Sequence, residues 1–296
     1  MNYIYHKSVL LQETIYLLRV STHKRYIDAT VGGGGYTKAI LDLGGVVLGI
    51  DLDEDAISYC REQFSEYENI TLTQGNFKDI DEIARKYGFD KVSGIVMDLG
   101  LSSHQIDDKY RGFSYLGNNA LDMRMDKSSK VKALDLLNIL DKDQLYEIFT
   151  KFGQEPRSRA ISNSIVRARR VKAFENTADL TDIVQQAYGL RGEISMKAKA
   201  QVNNRVFQAL RIAVNNELNN LAIALPAAID LLEKGGRLVV ISFHSLEDRI
   251  VKRAFLGFEK AGKAVLLTQK PIVPSFAQIT DNRRAKSAKL RAIERL

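Results

Sequence analysis

Four consecutive glycines, Gly32 to Gly35, follow the stretch Tyr26-Ile-Asp-Ala-Thr-Val31. No other feature limits the possible folds of this chain as tightly. Tyr26 to Asp28 has the pattern of a short buried strand, and a helical pattern runs from about Tyr36 to Leu43. A glycine-rich connection between the two lets the backbone approach a ligand closely. The helix behind it begins with N–H groups that have no acceptor inside the helix. The plain alternative is a tight turn with no ligand. Glycine is costly in conformational entropy, however, and four in succession call for a use.

The same alternation extends over the first hundred residues. Residues 9–18 form a short amphipathic pattern ahead of the glycine run. After it come the apolar run Gly45 to Asp51, a helix over 55–64 that Asp53 can cap, a third strand over 69–76, a helix ending at Gly88, and a fourth strand over 91–98. Strand and helix in strict alternation imply a parallel sheet covered on both faces. From about Lys109 to Asn204 the pattern turns helical, and Gly235 to His244 restores a buried strand. The expected fold class is therefore α/β, a discontinuous sheet domain (1–108 and 205–296) with a helical subdomain (109–204) inserted in it. Residues 205–232 read as one long helix that Pro226 should kink or split.

Four strand ends carry residues suited to a ligand: the glycine loop, Asp51, Asn76-Phe77 and Asp98. In open parallel sheets ligands bind at the carboxyl ends of strands, and a carboxylate ending the second strand can accept from ribose hydroxyls. Phe77 can pack on a purine or simply on the core. The glycine spacing is not that of a dinucleotide fingerprint, which disfavours a nucleotide-dependent oxidoreductase. The single cysteine, Cys60, excludes an internal disulfide, and with only four histidines a structural zinc site is disfavoured. The net charge of +7 favours a polyanionic partner. Two basic stretches, Arg157 to Lys172 without an acidic residue and Arg283 to Arg291, suit phosphate contacts or a solvated face. The N-terminal residues have no signal-peptide pattern, and no window suits a membrane span, so a cytoplasmic protein with no membrane association is expected.

Seven further motifs carry a specific resemblance: HKSVLLQE (6–13), DATVGGGG (28–35), DLGLSS (98–103), RGFSY (111–115), LDMRMD (121–126), FQALRI (207–212) and FHSLEDR (243–249). In this order, over nearly the whole chain, they closely resemble the ribosomal RNA small subunit methyltransferase H family. The resemblance implies a Rossmann-like S-adenosylmethionine methyltransferase sheet that methylates N4 of a cytidine in the decoding region of 16S rRNA, within the small ribosomal subunit. It implies that Gly34, Gly35 and Tyr36 hold the methionine end of S-adenosyl-L-methionine, that Asp51 binds the ribose, that Phe77 lies at the adenine, and that Asp98 and Gln105 complete the pocket. This chain departs from the family at Tyr36, where histidine is usual, at Asn119-Ala120, where Gly-Pro is usual, and over Gln201 to Asn204. A methyltransferase with a DNA or protein acceptor and a non-catalytic assembly factor are the competing readings.

A cytosine amine is a poor nucleophile because its lone pair is delocalised into the ring. Catalysis then rests on alignment and on an acceptor that localises the lone pair and takes the proton. Asp98, Asp122 and His244 are the candidates for that acceptor, and no residue is assigned as a metal ligand. Simpler roles exist for several neighbours. Ser245 and Asp248 match a capping box, Arg111, Arg124 and Asp126 can form ion pairs, and Ser102 and Ser103 can cap a turn.

Overall fold

The computed structural model describes residues 7–190 and 195–296. His6, the first residue of the HKSVLLQE motif, lies outside them. The chain divides into two compact units: one runs to Ser102 and resumes over Leu218–Leu296, and the other is Ser103–Glu217.

The first unit opens with α1 (Leu11–Leu18), β1 (Arg25–Asp28), α2 (Gly35–Asp42), β2 (Val46–Asp51), α3 (Glu54–Gln63), β3 (Ile70–Gln74), α4 (Ile80–Lys86) and β4 (Val92–Asp98). Asp53 caps α3 as expected, its side chain accepting from the Asp55 amide. The second unit is helical: α5 (Ser103–Asp107), α6 (Ala133–Ile139), α7 (Lys142–Lys151), α8 (Ser158–Ala168), α9 (Thr177–Ala187) and α10 (Met196–Asn215). The first unit then resumes with α11 (Glu217–Leu231), β5 (Leu232–Ser242), α12 (Ser245–Lys260), β6 (Ala264–Leu266), α13 (Phe276–Asp281) and β7 (Lys289–Arg295).

The strands form one sheet in the order β3-β2-β1-β4-β5-β7-β6. β1 to β5 are parallel, and β7 runs antiparallel to both β5 and β6. This is a doubly wound, Rossmann-like sheet in which the strand order reverses between β1 and β4, the place where such sheets bind ligands. Successive side chains of a strand point to opposite faces. Ile27, Leu48, Ile50, Ile95, Met97, Leu238 and Val240 accordingly join α4, α11 and α12 on one side. Tyr26, Val47, Val96, Val239 and Ile241 join α1, α2 and α3 on the other. Among the described residues no helix is long and apolar enough to cross a membrane.

The helical unit buries Leu137, Leu145, Phe149, Ile161, Ile165, Leu180, Val184, Val206 and Leu210. Asp141 and Asn176 cap α7 and α9 with reciprocal capping boxes, and Ser195 caps α10. Its limits differ from the expected 109–204 at both ends, because α5 belongs to it and because α10 packs on α6, α7 and α9. The long helical pattern breaks at Asn216, not at Pro226. Asn216 adopts φ 52°, a left-handed conformation that asparagine tolerates, whereas α11 continues through Pro226. The paired hydrogen bonds of Arg211 to Glu217, at 2.9 and 2.7 Å, brace that corner.

Candidate active site

The glycine loop ends with two positions where a side chain has no room. Gly34 is the N-cap of α2 at φ 76°, and a Cβ there would lie 2.6 Å from the Phe64 ring. A Cβ on Gly35 would lie 2.0 Å from Ser8 Oγ. The close approach that these two glycines allow is thus to α3 and to the N-terminal segment. Gly32 is different: its N–H donates to Asp51 Oδ2 at 2.8 Å, and almost nothing would meet a Cβ there.

Three carboxylates end three neighbouring strands. Asp28 of β1 is fully buried and accepts from Thr37 Oγ1 at 2.8 Å and from the Thr30 amide at 3.3 Å. Asp51 of β2 accepts from the Gly32 and Asp53 amides, both at 2.8 Å, which orients it across the glycine loop. Asp98 of β4 has its own amide fixed on Thr30 Oγ1 at 2.6 Å, and its Oδ2 lies 3.1 Å from Tyr36 Oη. Asp98 Oδ1 is buried and closes no hydrogen bond among the described residues.

Burial and mutual repulsion make these groups reluctant anions. Desolvation pushes Asp28 and Asp51 up to about 6, and at Asp51 the Asp53 and Asp28 carboxylates add to it. Asp98 is pushed up to about 7, mainly by desolvation and further by Asp28 and Glu247; the Tyr36 hydroxyl and the Gly100 amide pull the other way. The crowd of carboxyls also drives the Cys60 thiol far above its ordinary range, after burial as the main cause, so it is no nucleophile. Desolvated carboxyls with an unused acceptor atom favour a ligand that brings positive charge and N–H or O–H donors.

The remaining expected residues lie in different settings. Phe77 begins a 3-10 turn, Phe77–Asp79, and packs half-buried against the core. Gln105 is buried on α5 and Asp122 lies in the loop before α6, both in the helical unit. Asp122 is held by Arg124 through two contacts of 2.7 Å. Despite partial burial, that guanidinium keeps Asp122 below the usual carboxylate range. His244 is the N-cap of α12: its Nδ1 accepts from the Glu247 amide at 3.4 Å, and its Nε2 lies 3.0 Å from Glu247 Oε1. The capping box at this helix is His244 with Glu247, one residue ahead of the expected Ser245–Asp248 pair. Asp28 was readable in the sequence as the end of a short strand but not as a site residue; its place beside Asp51 and Asp98 depends on strand order.

The motifs of the helical unit hold one another. The Met123 amide donates to the Arg111 carbonyl at 2.8 Å, and Arg111 Nη2 donates to the Met125 carbonyl at 2.9 Å. A Cβ on Gly112 would collide with the Ala120 carbonyl. Asn119 joins this loop to the start of α9 through Thr177.

A family model described as the MraW methylase family matches residues 3–296. A ribosomal RNA small subunit methyltransferase H from Coprothermobacter proteolyticus is 41% identical over 296 residues, covering 99% of this chain and 97% of that protein. A protein of the same name from Thermomicrobium roseum is 43% identical, covering 98% and 94%. Another from Clostridium botulinum is 40% identical, covering 98% and 99%. With a match that spans the glycine loop, the three strand-end carboxylates and the paired loops of the helical unit, this chain belongs to the MraW methylase family.

Proposed function

We propose that this protein is an S-adenosylmethionine-dependent rRNA methyltransferase whose acceptor is N4 of a cytidine in the decoding region of 16S rRNA, presented by the assembled small ribosomal subunit in the cytoplasm. The observation that carries the reading is the group Asp28, Asp51 and Asp98 at the ends of adjacent strands, with Asp98 Oδ1 buried and without a hydrogen bond among the described residues. S-adenosylmethionine has an ammonium, a sulfonium and ribose hydroxyls, which suit such a site, and when bound it supplies an activated methyl group. Asp51, oriented by the Gly32 and Asp53 amides, offers its remaining lone pairs to the ribose. Gly34 and Gly35 keep the loop against Phe64 and Ser8. By the family resemblance Phe77 is assigned to the adenine and Gln105 to cofactor binding.

Asp98 is the preferred acceptor for the cytosine amine. An ionised carboxylate oxygen accepts more than one N–H, and a group titrating near neutrality is suited to hold an N–H and take up its proton. Asp122 is engaged on both oxygens by Arg124, and His244 is engaged as a helix cap, so each has a structural role to give up first. The inserted helical unit is assigned to substrate recognition, with the basic stretches of α8 and of residues 283–286 meeting phosphates.

The test is transfer of label from S-adenosylmethionine to small subunits and to naked 16S rRNA, both from cells lacking this protein. N4-methylcytidine formed on subunits supports the reading. Intact cofactor binding with label in no RNA overturns it in favour of another acceptor or a non-catalytic assembly role.

A further inference from the structure

Tyr36 is buried in the first turn of α2 and its hydroxyl has two partners: the Val9 carbonyl, and Asp98 Oδ2 at 3.1 Å. A phenol has one proton and a carbonyl can only accept. Two arrangements satisfy this geometry. With Asp98 neutral, its Oδ2–H donates to Tyr36 Oη and Tyr36 donates to Val9. With Asp98 ionised, Tyr36 turns its proton to Oδ2 and the Val9 carbonyl loses its donor. In both, Oδ2 is held by Tyr36, and the buried Oδ1 closes no hydrogen bond among the described residues.

We propose that Tyr36 is a positioning residue and not a cofactor ligand: it fixes Asp98 so that Oδ1 meets an incoming cationic N–H donor, and it turns its proton from Val9 to Asp98 as the carboxyl ionises. The proposal rests on the methyltransferase reading only for the identity of the cation. Among the described residues, the charged groups that act on Asp98 are Asp28 from β1 and Glu247 from α12, and both oppose its ionisation. Tyr36 itself is held protonated, by burial first and then by Asp98. The phenol is thus the side-chain donor that offsets this opposition. The proton balance is simple: the carboxyl proton of Asp98 leaves to solvent when the cation binds, and the phenol proton is only redirected.

The experiment is calorimetric titration with S-adenosylmethionine at pH 6.5 in buffers of different ionisation enthalpy, and across pH 6 to 9, for the wild type and Tyr36→Phe. The wild type should release about three-quarters of a proton at pH 6.5, the protonated fraction of a carboxyl titrating at about 7. Tyr36→Phe, checked for an unchanged melting temperature within a few degrees, should bind about fivefold more weakly at pH 7, approach tenfold at pH 6 and regain wild-type affinity by about pH 9, as an Asp98 carboxyl raised by about one further pK unit requires. No proton release by the wild type, or a loss in Tyr36→Phe of equal size at every pH, overturns the proposal alone. Failure of the wild type to bind at any pH overturns the methyltransferase reading and this proposal with it.

Discussion

Arg291 Nε donates to Asp248 Oδ1 at 2.7 Å, and Lys289 Nζ lies 3.3 Å from the other oxygen, so the first turn of α12 is tied to β7. In the sequence these residues looked like parts of two other things, a capping box and a phosphate-binding run. The ion pair is mostly buried and holds the Asp248 carboxyl below the usual range against its own desolvation. Removing Arg291 leaves a carboxylate poorly solvated, a change that costs about 3–5 kcal/mol at fully buried sites. The exposure left here, and Lys289, reduce that to about 2 kcal/mol for Arg291→Ala, read as a lower urea midpoint at pH 7. The folded-state value is depressed, so this stability exists above the ordinary carboxylate range and is lost as pH falls through it. The difference between variant and wild type should therefore shrink toward pH 3.

Asp98 has the opposite sign. Its folded-state value is raised to about 7, so the folded chain holds a proton that the unfolded chain has already released. The resulting destabilisation is small at pH 4, grows through pH 5 to 7 and is nearly complete at pH 8. Asp98→Asn should stabilise the ligand-free protein at pH 8 by on the order of 4 kcal/mol, at about 1.36 kcal/mol per pK unit, with less than about 1 kcal/mol of gain at pH 4. The same variant should lose cofactor affinity at least tenfold. Melting curves at the two pH values decide the first point, and a gain independent of pH would refute it.

The glycine loop predicts a rescue. Gly35→Ala places a methyl 2.0 Å from Ser8 Oγ and should cost about 1–3 kcal/mol as an overpacked site. Ser8→Ala removes the oxygen and should return part of that loss. Gly34→Ala faces the Phe64 ring and also keeps a left-handed φ of 76°, so Ser8→Ala should give it no relief. Urea melts of the three single variants and the two double mutants test the distinction.

The basic residues of α8 and its two ends divide into two groups. Arg169 donates to the Leu137 carbonyl at 2.7 Å, Arg157 donates to the Ala187 carbonyl and stacks over Tyr188, and Arg159 lies over Tyr146. Arg167 and Arg170 are exposed, as are Arg283 and Lys286 near the C-terminus. Arg169→Ala should lower stability by about 1 kcal/mol, the scale of one hydrogen bond. Replacing Arg167 and Arg170 should leave the melt unchanged and weaken small-subunit binding, with the slope of log affinity against log salt falling by about one per lost phosphate contact. Filter binding at several salt concentrations measures it.

Much of the sheet was legible because β1, β2 and β4 are buried on both faces and read as apolar runs between helices. β7 was not. Its residues Lys289 to Arg295 alternate charge with Leu290, Ala292 and Ile293, and the charges were read as a surface feature. Arg291 in fact pairs with Asp248, and Arg295 donates to the Ile229 carbonyl. Pro226 drew the expected helix break, but an asparagine able to adopt the left-handed region decided it. At the site, Asp51 and Asp98 were readable as strand ends. The use of Tyr36 was not, since its hydroxyl partner Val9 comes from a segment whose approach depends on tertiary packing.

The most direct measurement is nucleoside mass spectrometry of 16S rRNA from cells lacking this protein, complemented with the wild type or with Asp98→Ala at matched protein levels. The account predicts that N4-methylcytidine is absent without the protein, restored by the wild type, and absent with Asp98→Ala. The modification persisting without the protein, or returning in full with Asp98→Ala, would contradict it.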